Sequence, residues 1–449
     1  MTTPIYNFVQ NYINSKPVRF HMPGHKGQGA LGIEAFDITE IEGADVLYSP
    51  SGIIAESEEN ATALFGTAHS FYSTEGSTLA IKAMLKLATQ SAPRGERAMI
   101  LAGRNAHKAF IYAAALLDLD VEWLFGEEGS HLCECRITPD SLEKRLSEME
   151  KLPAAIYVTS PDYLGNIADI RGISMVADRY DIPVLVDNAH GAYLRFVEPC
   201  MHPIALGASM CCDSAHKTLP VLTGGAYLHI AKRAERLVPA ARGALSLFAS
   251  TSPSYLTLQS LDLANAYLQD GYPEKLAAAV KAAEAVKAEI SALGFMPEQT
   301  EPLKIVIRAS KYGYTGDELK EKLRSHAIEC EFSDRDYLVL MLSPENTDPG
   351  DEDYRRLVAA LSELTACEAI NTAMPKIPVG ERKLTVREAI FGKSETVKVK
   401  DARGRILAAP TVSCPPAVPV ATSGEALGEE AISALLYYGI TEIEVICED

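Results

Sequence analysis

Between residues 70 and 230 the chain alternates short apolar runs with longer stretches whose apolar positions recur every three or four residues. The runs Ser70–Ser73, Ala98–Leu101, Ala154–Thr159, Val184–Val186 and Ala226–Ile230 have strand length and contain no Asp, Glu, Lys or Arg. Strands that apolar are covered on both faces, as they are in parallel sheets. The stretches Ala61–Gly66, Leu79–Leu87, Ala109–Leu117, Ile173–Tyr180 and Ala231–Leu237 read as the covering helices. The alternation predicts βαβ units, and so an α/β fold built on a mainly parallel sheet. A helix over Pro4–Ile13 precedes it, and a long helical stretch runs through Leu268 and, past the Gly271–Pro273 break, on to Leu293. From Pro302 the rhythm changes to a strand (Lys304–Ile307), a helix (Gly316–His326) and a strand (Tyr337–Met341), which predicts a smaller α/β domain. Beyond residue 372 Pro and Gly increase, and Val386–Val445 reads as a third compact module closing with a helix over Gly428–Tyr438. The expected division is an N-terminal arm (1–45), a large domain (46–270), a small domain (271–371) and a C-terminal domain (372–449).

Composition narrows the class. The 449 residues are 47% hydrophobic and 23% charged, as in a soluble enzyme of two or three domains. With 42 basic against 60 acidic residues the net charge is −18, which argues against nucleic acid or an anionic membrane as partner. No apolar run reaches transmembrane length. The nine cysteines form no C-x-x-C pair, and neither Cys133/Cys135 nor Cys211/Cys212 has a His at zinc-ligand spacing, so no metal is expected. Their odd number and the absence of a signal peptide predict a reducing cytoplasm.

The candidate chemistry centres on Asp213-Ser214-Ala215-His216-Lys217-Thr218, followed by Gly224-Gly225. A lysine among Ser, His and Thr suits a Schiff base to an aldehyde that carries a phosphate: the amine makes the covalent link and the small polar neighbours bond phosphate oxygens. Thirty residues earlier Asp187 ends the Val184–Val186 strand, where open α/β folds bind ligands, and a carboxylate there can keep a pyridine nitrogen protonated. Either feature alone has a bland reading, a surface lysine or a helix-capping Asp. Together they describe pyridoxal phosphate (PLP). Three other stretches join them. Gly76-Ser77-Thr78, at a strand-to-helix turn, is a phosphate cradle or an ordinary N-cap. His107, at a strand end, stacks on a flat ring or is structural. Ser250-Thr251-Ser252-Pro253-Ser254-Tyr255 is a second anion site or a capping turn.

Several spaced motifs now match, in order, the fold-type I, PLP-dependent ornithine/lysine/arginine decarboxylases in their shorter bacterial form. They are Phe20–Gly27 (F-H-x-P-G-H-K-G), Gly76-Ser77-Thr78, Arg104-Asn105-Ala106-His107-Lys108, Asp187-Asn188-Ala189-His190-Gly191 and Ser214-Ala215-His216-Lys217-Thr218-Leu219. Towards the C-terminus Arg387-Glu388-Ala389, Gly404-Arg405-Ile406 and Pro415-Pro416-Ala417-Val418-Pro419 resemble the family's last domain. The resemblance covers nearly the whole chain. It implies an aspartate aminotransferase-like large domain that binds PLP, with a decarboxylase-type C-terminal domain. Lys217 would be the Schiff-base lysine, Asp187 would pair with the pyridine nitrogen and His107 would stack on the ring. Ala189 and His190 would lie on its other side, with His190 among the catalytic residues. Gly76, Ser77, Thr78, Ser214 and His216 would hold the phosphate, completed by Thr251 and Ser252 from a neighbouring subunit, which makes the active form a homodimer or larger. The implied reaction is decarboxylation of arginine, lysine or ornithine, with arginine ahead by analogy with the short form, yielding an amine of polyamine biosynthesis.

The chain also departs from the family pattern. Asn188 stands where many members have Glu, Ser160-Pro161-Asp162-Tyr163-Leu164-Gly165 replaces T-Y-D-G, and Glu75 stands where Asn is common. Pro415-Pro416-Ala417 lacks the usual Gly, and Thr422-Ser423-Gly424-Glu425 replaces P-G-E. These loops are the ones expected to shape the substrate pocket. A basic substrate predicts a carboxylate for its distal cation, with Glu40, Asp45, Glu56 and Asp162 as candidates. The alternatives are an aminotransferase or lyase acting on another amino acid, and a non-catalytic PLP-binding protein. Retention of both Lys217 and Asp187 argues against the last.

Overall fold

The computed structural model describes residues 1–449 except 94, 128–129, 347–351, 366, 371–373, 411–416 and 449. Pro415 and Pro416 of the C-terminal motif, and the expected boundary at 371/372, lie outside the described residues. From the N-terminus the elements are α1 (Pro4–Asn14), α2 (Ile53–Phe65), β1 (His69–Ser73), α3 (Gly76–Ala88), β2 (Met99–Gly103), α4 (Lys108–Leu117), β3 (Asp120–Leu124), α5 (Pro139–Ser147), β4 (Ala155–Thr159) and α6 (Ile170–Asp178). There follow β5 (Val184–Asp187), β6 (Met210–Asp213), α7 (Ala215–Thr218), β7 (Ala226–Ile230), α8 (Val238–Ser246), α9 (Tyr255–Gln269) and α10 (Tyr272–Ala292). All five strands predicted over residues 70–230 are present, with ends that move by a residue or two.

The chain divides into two compact units that interleave along the sequence. The first comprises 1–96, 149–158 and 170–273. Its strands hydrogen-bond in the order β1-β7-β6-β5-β4. β5 and β6 are parallel, with Asp187 beside Cys212, whereas β7 runs antiparallel to both β6 and β1. β5, β6 and β7 are buried along their whole length, as their charge-poor sequences require.

Two helices of this unit depart from expectation. α2 begins at Ile53, well before Ala61, and takes in the polar run Glu56-Ser57-Glu58-Glu59. Ser57 and Glu58 are nevertheless buried, because each has partners inside: Ser57 Oγ donates to Asp262 Oδ1, and Glu58 meets Arg242 and His69. The segment predicted as a helix over Ala231–Leu237 is a 3₁₀ helix from Lys232 to Leu237, and α8 follows it directly.

The second unit comprises 97–148, 159–169 and 274–449. In it β2 and β3 pair in parallel. A three-stranded antiparallel sheet, order β8-β10-β9, is formed by β8 (Lys304–Arg308), β9 (Phe332–Ser333) and β10 (Tyr337–Met341), with α11 (Gly316–Arg324) and α12 (Glu352–Ser362) beside it in the chain. The C-terminal module contains β11 (Glu381–Arg382), α13 (Val386–Phe391), β12 (Ser394–Lys398), β13 (Glu425–Ala426), α14 (Glu429–Tyr437) and β14 (Glu442–Ile446). β11 pairs with β13 and β12 with β14, around a core that includes Val399, Leu407, Val420, Leu435 and Val445.

Candidate active site

In the first unit four turns carry the predicted residues. Asp187 is the last residue of β5 and is only 3% exposed. Its Oδ2 accepts from the Tyr157 hydroxyl (3.1 Å), and its Oδ1 accepts from the Ala189 N–H (3.2 Å) and faces the Cys212 thiol (3.6 Å). A carboxylate has about four lone-pair positions, so the chain fills three and leaves one for a ring nitrogen. Tyr157, a buried residue of β4, went unnoticed in the sequence because it sits inside an apolar strand and reads as core.

Lys217 lies in α7, four residues past the end of β6, with its Nζ 3.1 Å from His190 Nε2. His190 follows Asp187 by three residues and is buried. The Asp187 turn and the Lys217 turn therefore meet through an amine and an imidazole able to exchange a proton. Thr218, next to the lysine, has a buried hydroxyl without a hydrogen-bond partner.

Ser77 and Ser214 also come together: Ser214 Oγ donates to Ser77 Oγ at 2.8 Å. Gly76, Ser77 and Thr78 form the first turn of α3, whose N-terminal N–H groups and dipole favour an anion. No side chain caps that end of the helix, so the plain N-cap reading of these hydroxyls is not realised. The glycine pair joins this turn to the lysine turn. Gly224 O accepts from Gly76 N (2.7 Å), and Gly225 O accepts from His216 N (3.1 Å). His216 Nδ1 also lies 3.0 Å from Gly225 O. Burial pushes the His216 pKa down, and neighbouring Lys217 adds to the effect. A side chain at Gly224 is excluded, since its φ is +96° and a Cβ would sit 2.8 Å from Thr74 O. Thr251 and Ser252 are exposed; beside them Ser250 N donates to Glu75 Oε1 at 2.7 Å, within the same chain.

The lysine, the buried aspartate and the hydroxyl pair at a helix N-terminus answer in turn to the aldehyde, the ring nitrogen and the phosphate of PLP. The donor set fits the cofactor.

His107 belongs to the second unit. It caps α4, its Nδ1 accepting from Ala109 N at 3.1 Å. Its neighbour Arg104 is buried and donates to Pro419 O and Val420 O (2.8 Å each), while Lys108 N donates to Ala417 O (2.9 Å). The Arg104–Lys108 motif thus pins the 417–420 segment, a role its spacing does not reveal.

Of the four candidate carboxylates, Asp45 is consumed by the backbone N–H groups of Val46, Ser51, Gly52 and Ile54, before and at the start of α2, and Glu40 and Glu56 are exposed. Asp162 is buried and lines a cavity of about 890 Å³ within the second unit, together with Glu134, Asp169, Glu298, Arg308 and Lys311. Burial pushes its pKa up to about 7, although Asn166 donates to both of its oxygens.

Comparisons with known proteins agree with this geometry. Residues 3–306 match the family described as "Orn/Lys/Arg decarboxylase, major domain", and residues 367–443 match its C-terminal domain. An arginine decarboxylase of Bacillus subtilis is 30% identical over 469 residues, covering 96% of this chain and 92% of that protein. The constitutive lysine decarboxylase of Escherichia coli is 26% identical over 313 residues, 61% of this chain and 41% of that one. Among solved structures, a Francisella novicida lysine decarboxylase superposes with a TM-score of 0.81 at 18% identity, covering 99% of this chain and 81% of the other.

Proposed function

The chain belongs to the Orn/Lys/Arg decarboxylase family, and from that premise we propose that it decarboxylates a basic amino acid on PLP, with arginine the first choice of substrate. What supports this most is the contact of 3.1 Å between Lys217 Nζ and His190 Nε2, beside an Asp187 carboxylate with one lone-pair position open. Arginine is preferred over lysine because an arginine decarboxylase is matched along nearly its whole length, the lysine decarboxylase of Escherichia coli along less than half of its own.

When bound, PLP supplies an aldehyde for covalent capture and a ring that accepts the electrons of the broken bond to the carboxylate. The chain's residues do the rest. Lys217 would offer the amine that holds the aldehyde, and His190, 3.1 Å from that amine, could exchange a proton with it. Asp187 keeps the ring nitrogen protonated, and its three donors within the chain fix its orientation. Ser77, Ser214 and the α3 N-terminus would bind the phosphate with Gly76, Thr78 and His216, and His107 and Ala189 are the residues the family resemblance assigns to the ring. Asp162 is the carboxylate proposed for the substrate's distal cation. Carbon dioxide leaves and one proton is delivered to the α-carbon, from Lys217 or a histidine, so each turnover consumes a proton.

The working form is a homodimer or larger, in the cytoplasm, with Thr251 and Ser252 serving the neighbour's phosphate site. Phe20, at 94% exposure, with exposed Met22, Leu31 and Leu247, gives the first unit an apolar surface that association would cover. The four-part domain division of the sequence is retained as part of this proposal.

The test is direct. The purified protein is examined for the visible absorbance of a PLP Schiff base and assayed for CO₂ release from arginine, lysine and ornithine, with Lys217→Ala as control. Release from arginine that is lost in the variant supports the reading. A PLP-loaded protein that turns over none of the three, or that makes a 2-oxo acid, overturns the decarboxylase assignment.

A further inference from the structure

Asn188 directly follows Asp187, the last residue of β5. Along a strand successive side chains point to opposite faces, so a side chain after Asp187 enters the layer behind the sheet. Asn188 is fully buried there, and its Nδ2 donates to Asp213 Oδ1 at 2.7 Å. Asp213 ends β6 directly before Ser214, four residues before Lys217. It too is fully buried, and its other oxygen receives two imidazoles, His202 Nε2 at 3.0 Å and His229 Nε2 at 3.2 Å.

The cluster is ordered beyond these contacts. His229 sits across from Cys211 on β7, and its Nδ1 bonds Ser70 Oγ (2.8 Å), which in turn bonds Thr67 Oγ1 (2.8 Å). Phe65 packs on the His229 ring at 4.4 Å and on the His202 ring at 5.5 Å. Burial works against the Asp213 charge, but the two imidazoles and their hydrogen bonds outweigh it and hold the carboxyl well below the usual range. An ionised carboxylate only accepts, so both histidines present Nε2–H to it. A buried anion held by Asn188, the two imidazoles and, more weakly, the Cys211 thiol at 3.9 Å is rigid, because losing any donor leaves charge unmatched in a dry interior.

We propose that Asp213, braced by His202 and His229, is a positioning residue that acts through Asn188. It ties the turn carrying Asp187 and His190 to the turn carrying Ser214 and Lys217. Besides this bond, the two turns are joined by the backbone bond from Asn188 N to Cys212 O (3.0 Å), the Cys212–Asp187 contact (3.6 Å) and the Lys217–His190 contact itself (3.1 Å). Asn188–Asp213 is thus the clasp that sets those reacting groups without touching them. An uncharged donor at 188 is what the cluster demands, since a carboxylate there would face the Asp213 carboxylate. The inference rests on the PLP reading of Lys217 and Asp187.

The test is a cycle run on the PLP-loaded protein beside wild type, reading cofactor Kd, the visible spectrum, kcat and KM. Asn188→Asp sets two carboxylates face to face. It should weaken cofactor binding and lower kcat, each by about ten- to a hundredfold, the equivalent of one buried charged hydrogen bond, with KM for the amino acid unchanged. The exchanged pair N188D/D213N rebuilds the bond with donor and acceptor reversed and should recover part of both losses, the remainder reflecting the carboxylate's separation from the two imidazoles. Asn188→Ala, which adds no charge, should fall between wild type and Asn188→Asp and serves if the latter does not fold. Single variants that match wild type, or an exchanged pair no better than Asn188→Asp, would overturn the clasp. A wild-type protein that takes up no PLP would instead overturn the cofactor reading and leave the clasp to be judged from melting temperatures of the same cycle.

Discussion

Two regions of the first unit carry family motifs, yet they are finished very differently. The turns Asp187–His190 and Ser214–Thr218 lie mostly inside, and their polar groups meet one another: carboxylate with phenol, amine with imidazole, hydroxyl with hydroxyl. The Phe20–Gly27 loop satisfies its polar groups locally but turns its apolar ones outward. Tyr12 OH meets His21 Nε2 at 2.6 Å, Lys26 Nζ donates to His21 O at 2.5 Å, and His25 pairs with Asp37 at 3.2 Å, while Phe20 is left 94% exposed. The proposed self-association would cover the side chain that this segment offers to water. The contrast separates what the chain completes alone from what it leaves open, and the Asp162 cavity of the second unit belongs with the open regions.

The hardest blow to the finished region is Lys217→Ala. It should abolish the Schiff-base absorbance and lower turnover by at least about a thousandfold, as removal of a covalent catalytic group does. Borohydride treatment should fix PLP to wild type and not to the variant, and mass spectrometry reads this at the Lys217 peptide. A variant that keeps the absorbance would mean that another lysine holds the cofactor, and the finished region would be somewhere else.

The open loop is tested by Phe20→Asp. An aromatic anchor at the centre of an interface contributes about 2 kcal/mol or more, so self-association should weaken by about thirtyfold or more. Sedimentation over a range of concentrations reads this directly. Activity should fall in step with dimer population, since Thr251 and Ser252 are assigned to the neighbour's site. Unchanged sedimentation would assign the exposed aromatic to something other than a second copy.

These regions also differ in how far the sequence could be read. Fully apolar strands such as Val184–Val186 and Ala226–Ile230 are legible because burial on both faces removes every charge. β3 was missed because Asp120-Val121-Glu122-Trp123-Leu124 mixes acids with apolar residues, and among the described strands it pairs only with β2. β6 was passed over because four residues, Met-Cys-Cys-Asp, carry no period of their own. The lysine and aspartate turns announce themselves by residue type and order. Their supports do not. Tyr157, on β4, lies 30 residues from Asp187, while His202, in the loop before β6, and His229, on β7, lie 11 and 16 residues from Asp213. Sequence order reveals the groups that react, whereas the groups that hold them are set by which strands become neighbours.

Asp162 makes the open cavity measurable. Its pKa is pushed up from 3.8 to about 7 by burial, so between those values the folded protein holds a proton that the unfolded chain has released. Stability therefore falls as pH rises through that window, by up to about 4 kcal/mol relative to a group that does not titrate. Asp162→Asn should flatten this part of the profile in urea titrations at pH 5, 6, 7 and 8. If the distal cation of the substrate is what the carboxylate awaits, the same variant should raise KM by about tenfold, the value of one charge-assisted hydrogen bond, and leave kcat nearly unchanged. A flattened profile with unaltered KM would keep the buried acid and remove it from the substrate.

The smallest effect is expected from Tyr157→Phe, and it probes the finished region most finely. The phenol donates one hydrogen bond, at 3.1 Å, to the Asp187 oxygen that still has a lone pair to offer. Its removal leaves the ring packed in β4 and the carboxylate held by the Ala189 N–H and the Cys212 thiol alone. Stability should drop by about 1 kcal/mol, as for one buried hydrogen bond whose partner keeps others. If the phenol merely fills space, kcat should stay at the wild-type value. If it orients Asp187 toward a ring nitrogen, kcat should fall by about three- to tenfold with KM constant, because a carboxylate free to rotate spends part of its time off the nitrogen it serves. The difference between those two results is the difference between a residue that packs the site and one that aims it.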